Sequence, residues 1–227
     1  MKITAILLGP LKTNCYILTD EGSGETAVID PGVWEASLGG AFDEESVKKI
    51  KYILLTHGHF DHILGVHELK RLSGAEVLIH KADADCLYDE RRSLLFLSPD
   101  DSRYDEFIKY IYPLAPGQQI PVHADAFLSD GDILRLGETE IRVVHTPGHS
   151  AGSVCFIADG NVFSGDTLFR LTVGRTDFKD GDEKALLASL MRLMELPDEY
   201  AVYPGHHRPT AVGFERVKNH FLRHVFN

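Results

Sequence analysis

The sequence predicts a single α/β domain over residues 1–227. Short apolar strands alternate with helical segments along the whole chain. A length of 227 residues, 44% hydrophobic and 25% charged, is enough for one sizeable core. No internal repeat, linker or low-complexity tract divides it.

Taken in order, KITAILL, NCYIL and TAVID read as strands separated by Gly, Pro, Asp or Ser turns. DEESVKKI (43–50) reads as a helix, acidic in its first turn and basic in its last. KYILL is a buried strand, ILGVHELKRL (63–72) a helix stopped by Gly74, and EVLIH another strand. Residues 81–120 are less regular and predict two helical pieces around Ser98-Pro99-Asp100, the second being YDEFIKYIY. DILRL, EIRVVH, SVCFIA and NVFSG return to short strands. EKALLASLMRLMEL (183–196) is an amphipathic helix with Leu186, Leu190 and Leu193 on one face, Asp182 as its cap and Pro197 beyond its end. AVYPG is a last strand, and PTAVGFERVKNHFLRHV ends in a helix.

Composition narrows the function. A net charge of −11 repels nucleic acid and anionic membrane, and no Lys or Arg run offsets it; Arg91-Arg92 reads as solvated surface. No apolar run approaches a membrane span. The opening MKITAILLGPLKTNCYIL, interrupted at Gly9-Pro10 and Lys12, reads as a first strand and hairpin rather than a signal peptide, so a cytoplasmic location is expected. Cys15, Cys86 and Cys155 are odd in number and widely spaced, which fits neither a disulfide framework nor a CxxC zinc site. Cys15 and Cys155, inside apolar stretches, read as buried and inert.

The twelve histidines are the anomaly. YILLTHGHFDH (52–62) places three of them and an aspartate within six positions directly after an apolar strand. His57 and His59 alternate and can point the same way, Gly58 lets the backbone pass close to whatever they hold, and Asp61 and His62 open the next helix. Nitrogen and oxygen donors at this spacing suit a borderline ion such as zinc, divided between two ions rather than crowded on one. Further donors stand at strand ends: His149 in VVHTPGHSAGS (143–153), Asp166 in VFSGDTLF (162–169) and His206 in VYPGHHRPT (202–210). Asp30 and His145 are placed to orient ligands. His67, His80, His123, His220 and His224 lack motif context and read as surface or packing.

HxHxDH, PGH, GD and a second PGH, in this order, resemble the metallo-β-lactamase fold superfamily over nearly the whole chain, TNCYIL and AVIDPG included. TPGHSAGS, SGDTLF, VGRTDF and PGHHRPT most resemble its glyoxalase II-like hydrolases. The resemblance implies an αββα sandwich: two mixed β-sheets back to back, helices outside, metals at one edge. It implies that His57, His59 and His149 hold one ion and that Asp61, His62 and His206 hold the second. Asp166 would bridge the two, and Asp61 and Asp166 are the carboxylates assigned to catalysis. Two divalent ions are expected, zinc first, with iron or manganese accepted by the same donors.

Such a pair of ions, roughly 3.5–4 Å apart, supplies hydroxide near neutral pH. No serine or cysteine nucleophile is then needed. The resemblance points to hydrolysis of a small-molecule acyl-thioester, with S-lactoylglutathione the type substrate. Arg175 falls where the family carries a basic residue beside the site, and is expected to contact a substrate carboxylate. Asp177 replaces the family's aromatic contact, and His207 replaces a glycine. Glyoxalase II typically continues into a helical domain, whereas about twenty residues follow His206 here. The resemblance is thus to the subgroup without that domain. ERVKNHFLR resembles a shortened form of its terminal motif. Arg216 and Lys218, with His207, therefore join Arg175 as expected substrate-binding residues. Residues 82–125 form a helical insertion in which Tyr88, Phe96, Tyr104, Phe107, Tyr110 and Tyr112 either wall the metal edge or bury the insertion against the body.

Other readings share the fold. Persulfide dioxygenases use one iron held by two histidines and an aspartate; the full second set of ligands favours hydrolysis. Lactonases and β-lactamases use the same ions, and VGRTDF argues against the lactonases. A non-catalytic, metal-stabilised binding module is the remaining class, and degenerate members normally lose ligands that are all present here.

Overall fold

A computed structural model of the chain describes residues 1–94, 109 and 121–222. Most of the expected insertion over 82–125 lies outside those residues, as do the YDEFIKYIY helix apart from Lys109, the Ser98-Pro99-Asp100 break and His224.

The first half builds a six-stranded mixed sheet from β1 (Lys2–Leu8), β2 (Thr13–Thr19), β3 (Thr26–Ile29), β4 (Ile50–Leu54), β5 (Glu76–His80) and β6 (Ala126–Leu128), in that order. The β1–β2–β3 meander is antiparallel; β3 through β6 run parallel. The second half builds another six-stranded sheet from β7 (Ile133–Leu136), β8 (Thr139–His145), β9 (Val154–Ala158), β10 (Asn161–Gly165), β13 (Ala201–Pro204) and β14 (Thr210–Ala211), ordered β14-β13-β10-β9-β8-β7. A two-stranded ribbon, β11 (Leu168–Phe169) and β12 (Thr172–Val173), lies between β10 and β13 in sequence.

The period of two along the strands creates the layers. Leu54 enters the core between the sheets with Leu18, Ile29, Phe156 and Phe163. Its neighbours Ile53 and Leu55 face the opposite side, against α1 (Ala36–Gly39) and α3 (Val66–Ser73) through Leu38, Val66 and Leu69. In the second sheet Phe156 faces inward. Cys155 and Ile157 face α5 (Glu183–Leu193), which lays Leu186, Leu190 and Leu193 on them. The architecture is the αββα sandwich. Phe156 and Phe163 are fully buried, and each such side chain contributes about 1.5–3 kcal/mol.

The α5 helix starts as its sequence predicts, with the Asp182 carboxylate accepting from the Lys184 and Ala185 amides. Gly74 ends α3 in the left-handed conformation. Three expectations are corrected. DEESVKKI is not a helix: Asp43 accepts from Ser46 N, Ser46 Oγ and Glu45 N, closing a local turn. Only Val47–Lys49 follows as a 3-10 turn before Ile50 enters β4. ILGVHELKRL divides into α2 (Phe60–Ile63) and α3, because Gly65 N turns to the Gly32 carbonyl. Strand β6 was not expected; it is short, with one buried residue, and exists through its pairing with β5. After β5 the chain adds a 3-10 stretch over Lys81–Leu87 and the short α4 (Glu90–Ser93).

Topology positions the site. Strands β8, β10 and β13 run in one direction, since β9 opposes both β8 and β10 while β10 and β13 are parallel. Their C-terminal ends therefore share one edge, and residues 146–149, 166 and 206 leave the sheet there. The Val154 amide donates to the Thr56 carbonyl across the two sheets, at 2.8 Å, which brings the end of β4 to the same edge.

Candidate metal centre

His57, His59, Asp61 and His62 follow β4 and lead into α2, all buried. His149 arrives from the turn after β8, Asp166 directly follows β10, and His206 follows β13. The side chains converge as two clusters, His57–His59–His149 and Asp61–His62–His206, each with its ligand atoms within 4.8 Å of one another. Asp166 faces both. Its Oδ1 lies 3.5 Å from His62 Nε2, and its Oδ2 lies 3.5 Å from His149 Nε2 and 3.6 Å from His206 Nε2.

Hydrogen bonds behind the rings decide where their lone pairs point. Thr56 Oγ1 donates to Asp30 Oδ2 (2.6 Å), so at 3.0 Å it accepts from His57 Nδ1, leaving the His57 Nε2 lone pair facing inward. His149 Nδ1 donates to the Arg175 carbonyl (2.8 Å), and His149 Nε2 is likewise a lone pair. Both meet His59 Nδ1, at 3.0 and 2.9 Å, and one ring proton cannot satisfy both. His62 Nδ1 lies 2.9 Å from Asp30 Oδ2 and donates to it, which turns His62 Nε2 toward Asp61 Oδ2 and Asp166 Oδ1, each 3.5 Å away. His59 Nε2, His62 Nε2 and Asp166 Oδ1 are buried and accept or donate no hydrogen bond among the described residues. Lone pairs and carboxylates aimed at common points, with orphaned atoms among them, fit cations.

The acid–base balance agrees. Burial would lower His62, but Asp61, Asp166 and Asp30 together push it up to about 10, so the surroundings demand positive charge at that ring. Burial would raise Asp61; His62 and His206 reverse this and hold it well below the usual carboxylate range. Burial drives His57, His59 and His149 down, keeping them neutral and able to ligate.

Asp30, expected to orient a ligand, accepts from His62 Nδ1 and from the Thr56 amide. It adopts the left-handed region (φ 49°), which an aspartate tolerates. His145 Nε2 instead donates to the Ala151 carbonyl, in the loop that carries His149. The turn at Pro147-Gly148 is tightly determined. Gly148 has φ 136°, and a Cβ there would fall on the backbone N and Cα of Leu186 in α5. Gly148→Ala is expected to cost about 3 kcal/mol by overpacking against backbone, read as a lower denaturation midpoint with an unchanged m-value. Gly58 serves a different end from the one expected. A Cβ there would lie 2.6 Å from Cys86 Sγ, so the glycine accommodates packing beneath the loop.

Sequence reasoning missed several residues. Asp83 is buried and binds both ligand loops. Its Oδ2 accepts from the Gly58 amide (3.0 Å) and Ser150 Oγ (2.7 Å), and its Oδ1 accepts from the Gly152 amide (2.8 Å). Thr13 Oγ1 donates to Asp61 Oδ2 at 2.7 Å. Asn14 Nδ2 donates to the carbonyls of Pro204 and His207, at 2.9 Å each. Phe178 lies edge-on to His59 and His149. Only the local strings mark their positions: TNCYIL for Thr13 and Asn14, KADADC for Asp83 and VGRTDF for Phe178.

A cavity of about 740 Å³ opens over the clusters, within the range of small-molecule sites. Leu7, Leu11, Phe60, Phe169 and Phe178 form its apolar wall, and Lys12, Arg175, His207 and Arg208 its basic side. Arg175 is tied to Asp177 at 2.6 and 2.8 Å and lies 4.7 Å over the Phe178 ring. Arg216 and Lys218, expected at the substrate, are not in this lining. The Arg216 guanidinium is taken up by the Met194 and Leu196 carbonyls and by Asp198, which fasten α6 (Val212–Lys218) to the end of α5. Lys218 is exposed on α6. All three cysteines are free and buried, and burial pushes each thiol up, Cys155 to about 11. Among the described residues, no helix is long and apolar enough to cross a membrane.

Comparison with known proteins agrees with this fold. The family model of the metallo-beta-lactamase superfamily matches residues 8–206. The hydroxyacylglutathione hydrolase GloC of Haemophilus influenzae is 31% identical, over 98% of each chain. Among solved structures, BLEG-1 B3 metallo-beta-lactamase is 32% identical with a TM-score of 0.81, covering 98% of this chain and 100% of its own. TTHA1623 in a di-iron-bound form is 36% identical with a TM-score of 0.77, covering 96% of this chain and 100% of its own.

Proposed function

The chain belongs to the metallo-beta-lactamase superfamily, and on that premise we propose that it is a metal-dependent hydrolase that cleaves acyl-thioesters, S-lactoylglutathione being the type substrate. The observation that carries the reading is the pair of His/Asp clusters, joined by Asp166, at the floor of a substrate-sized cavity. The 31% identity to a hydroxyacylglutathione hydrolase over the full chain supports the thioester.

When bound, two divalent ions supply a water acidified toward neutrality and a Lewis acid for the carbonyl oxygen. The chain's residues do the rest. His57, His59 and His149 would hold one ion, and Asp61, His62 and His206 the other, with Asp166 between them. Thr56, Asp30 and the Arg175 carbonyl fix the ring tautomers, so the donors need no reorganisation. Phe60, Phe169 and Phe178 supply the apolar wall against which the acyl group would lie. The buried, raised thiols leave no cysteine nucleophile, so the acyl group passes to water without an acyl-enzyme. A thiolate leaves without a strong proton donor, which suits a wall with no dedicated acid. Zinc is the first choice of metal, with iron or manganese suited to the same donors. A cytoplasmic site of action is part of the reading, in keeping with three free cysteines.

Hydrolysis of a lactam or lactone on the same ions is the second reading, favoured by the full-length likeness to BLEG-1. Thiol release from S-lactoylglutathione, measured with metal content, separates the two. The proposal expects release that is lost on chelation and restored by zinc. Full metal loading with β-lactam or lactone turnover and no thiol release would overturn the thioester assignment.

A further inference from the structure

We infer that Lys12 and Arg208 form a cationic clamp for a carboxylate on the part of the substrate remote from the scissile bond. The enzyme would then select anionic thioesters over neutral ones of the same shape. This rests on the hydrolase reading above and adds the substrate's charge to it.

The chain carries a net charge of −11, yet the acidic residues in the cavity lining are Asp61 and Asp166, both in the metal clusters. The basic ones are Lys12, Arg175 and Arg208. Arg175 is paired with Asp177. Lys12 and Arg208 make no ion pair or side-chain hydrogen bond among the described residues, and both are exposed. Two unpartnered cations on the wall of one cavity, in an acidic protein, draw an anion there.

Their placement is built into the backbone. Lys12 sits at the β1–β2 turn in the left-handed region (φ 55°), its amide donating to the Gly9 carbonyl. The next residue, Thr13, bonds Asp61 in the metal cluster. Arg208 stands two residues after His206 and directly after His207, which is also left-handed (φ 69°). Asn14 joins the two turns: its amide donates to the Gly205 carbonyl at 2.7 Å, and its side chain to the Pro204 and His207 carbonyls. The two cations are therefore carried on loops locked to each other and to the ligands of the second cluster. Leu7 and Leu11, both more than half exposed, line the cavity from the same hairpin and give the clamp an apolar face. The cationic contacts that the sequence suggested at Arg216 and Lys218 are thus supplied from the opposite end of the chain and from the loop after β13.

The test uses S-methylglutathione, a thioether that cannot be hydrolysed, and its dimethyl ester, titrated calorimetrically into the metal-loaded full chain. The diacid is expected to bind about ten-fold more tightly than the diester, the equivalent of one charge-assisted contact. Lys12→Ala/Arg208→Ala should bring that ratio to about one, with metal content and circular dichroism unchanged, and Lys12→Arg should keep it. Equal binding of diacid and diester, no binding of either, or an unchanged ratio in the double variant would each overturn the clamp. Turnover of S-lactoylglutathione by the same wild-type sample reports separately on the hydrolase reading, so the two fail distinguishably.

Discussion

Asp166→Ala is expected to lower bound metal from about two ions per chain to one or none, and to reduce turnover by more than about 100-fold. Residues that merely orient a ligand cost roughly 10–100-fold when removed, and Asp166 is placed as a ligand itself. One oxygen faces His62 and the other faces His149 and His206, so its loss affects both clusters at once. Asp166 Oδ1 is buried and accepts no hydrogen bond from the described residues, so the metal-free variant should stay folded. Elemental analysis after dialysis, beside circular dichroism and a thiol-release assay, reads all three. Two retained ions with wild-type turnover would remove Asp166 from the site.

The second large effect is expected at Asp83. Asp83→Ala removes the acceptor shared by Gly58 N, Ser150 Oγ and Gly152 N. A buried donor left unsatisfied costs about 1–3 kcal/mol. The loops concerned carry His57 and His59 on one side and His149 on the other, so looser loops mean a looser first cluster. Chelator competition should show metal affinity lower by roughly 10–100-fold. Asp83→Asn should not rescue it fully. Its amide nitrogen must face a donor on one side or the other, because both carboxylate oxygens are already acceptors. Affinity for both ions equal to wild type in Asp83→Ala would show that the two loops hold their geometry without it.

The contrast between Asp166 and Asp83 explains what was legible in the sequence. Each metal-cluster residue follows an apolar strand inside a short, unusual string, and strand ends at one sheet edge are where an α/β fold gathers a site. Asp83 lies in KADADC with nothing to set it apart, and its partners are 25 to 69 residues away. Thr13 and Asn14 lie in the family-like string TNCYIL, but their roles depend on partners 48 and 190 residues distant. Such contacts are products of topology. The error at DEESVKKI was local: its charge pattern fits a helix, but the Asp43 side chain competes for the backbone donors a helix would need. Arg216 misled for a related reason, since a basic residue on a terminal helix reads the same whether it meets a substrate or caps the carbonyl end of a neighbouring helix. In the sequence Lys12 reads only as an interruption of an apolar run, and its place beside the site depends on Asn14 reaching the loop after β13.

Everything above turns on a two-ion centre held by His57, His59, Asp61, His62, His149, Asp166 and His206. Anomalous scattering from crystals of the zinc-loaded protein, recorded at the zinc absorption edge, tests it most directly. Two peaks are expected roughly 3.5–4 Å apart, one among His57, His59 and His149 and the other among Asp61, His62 and His206, with Asp166 between them. A single peak, or peaks away from these side chains, would contradict it.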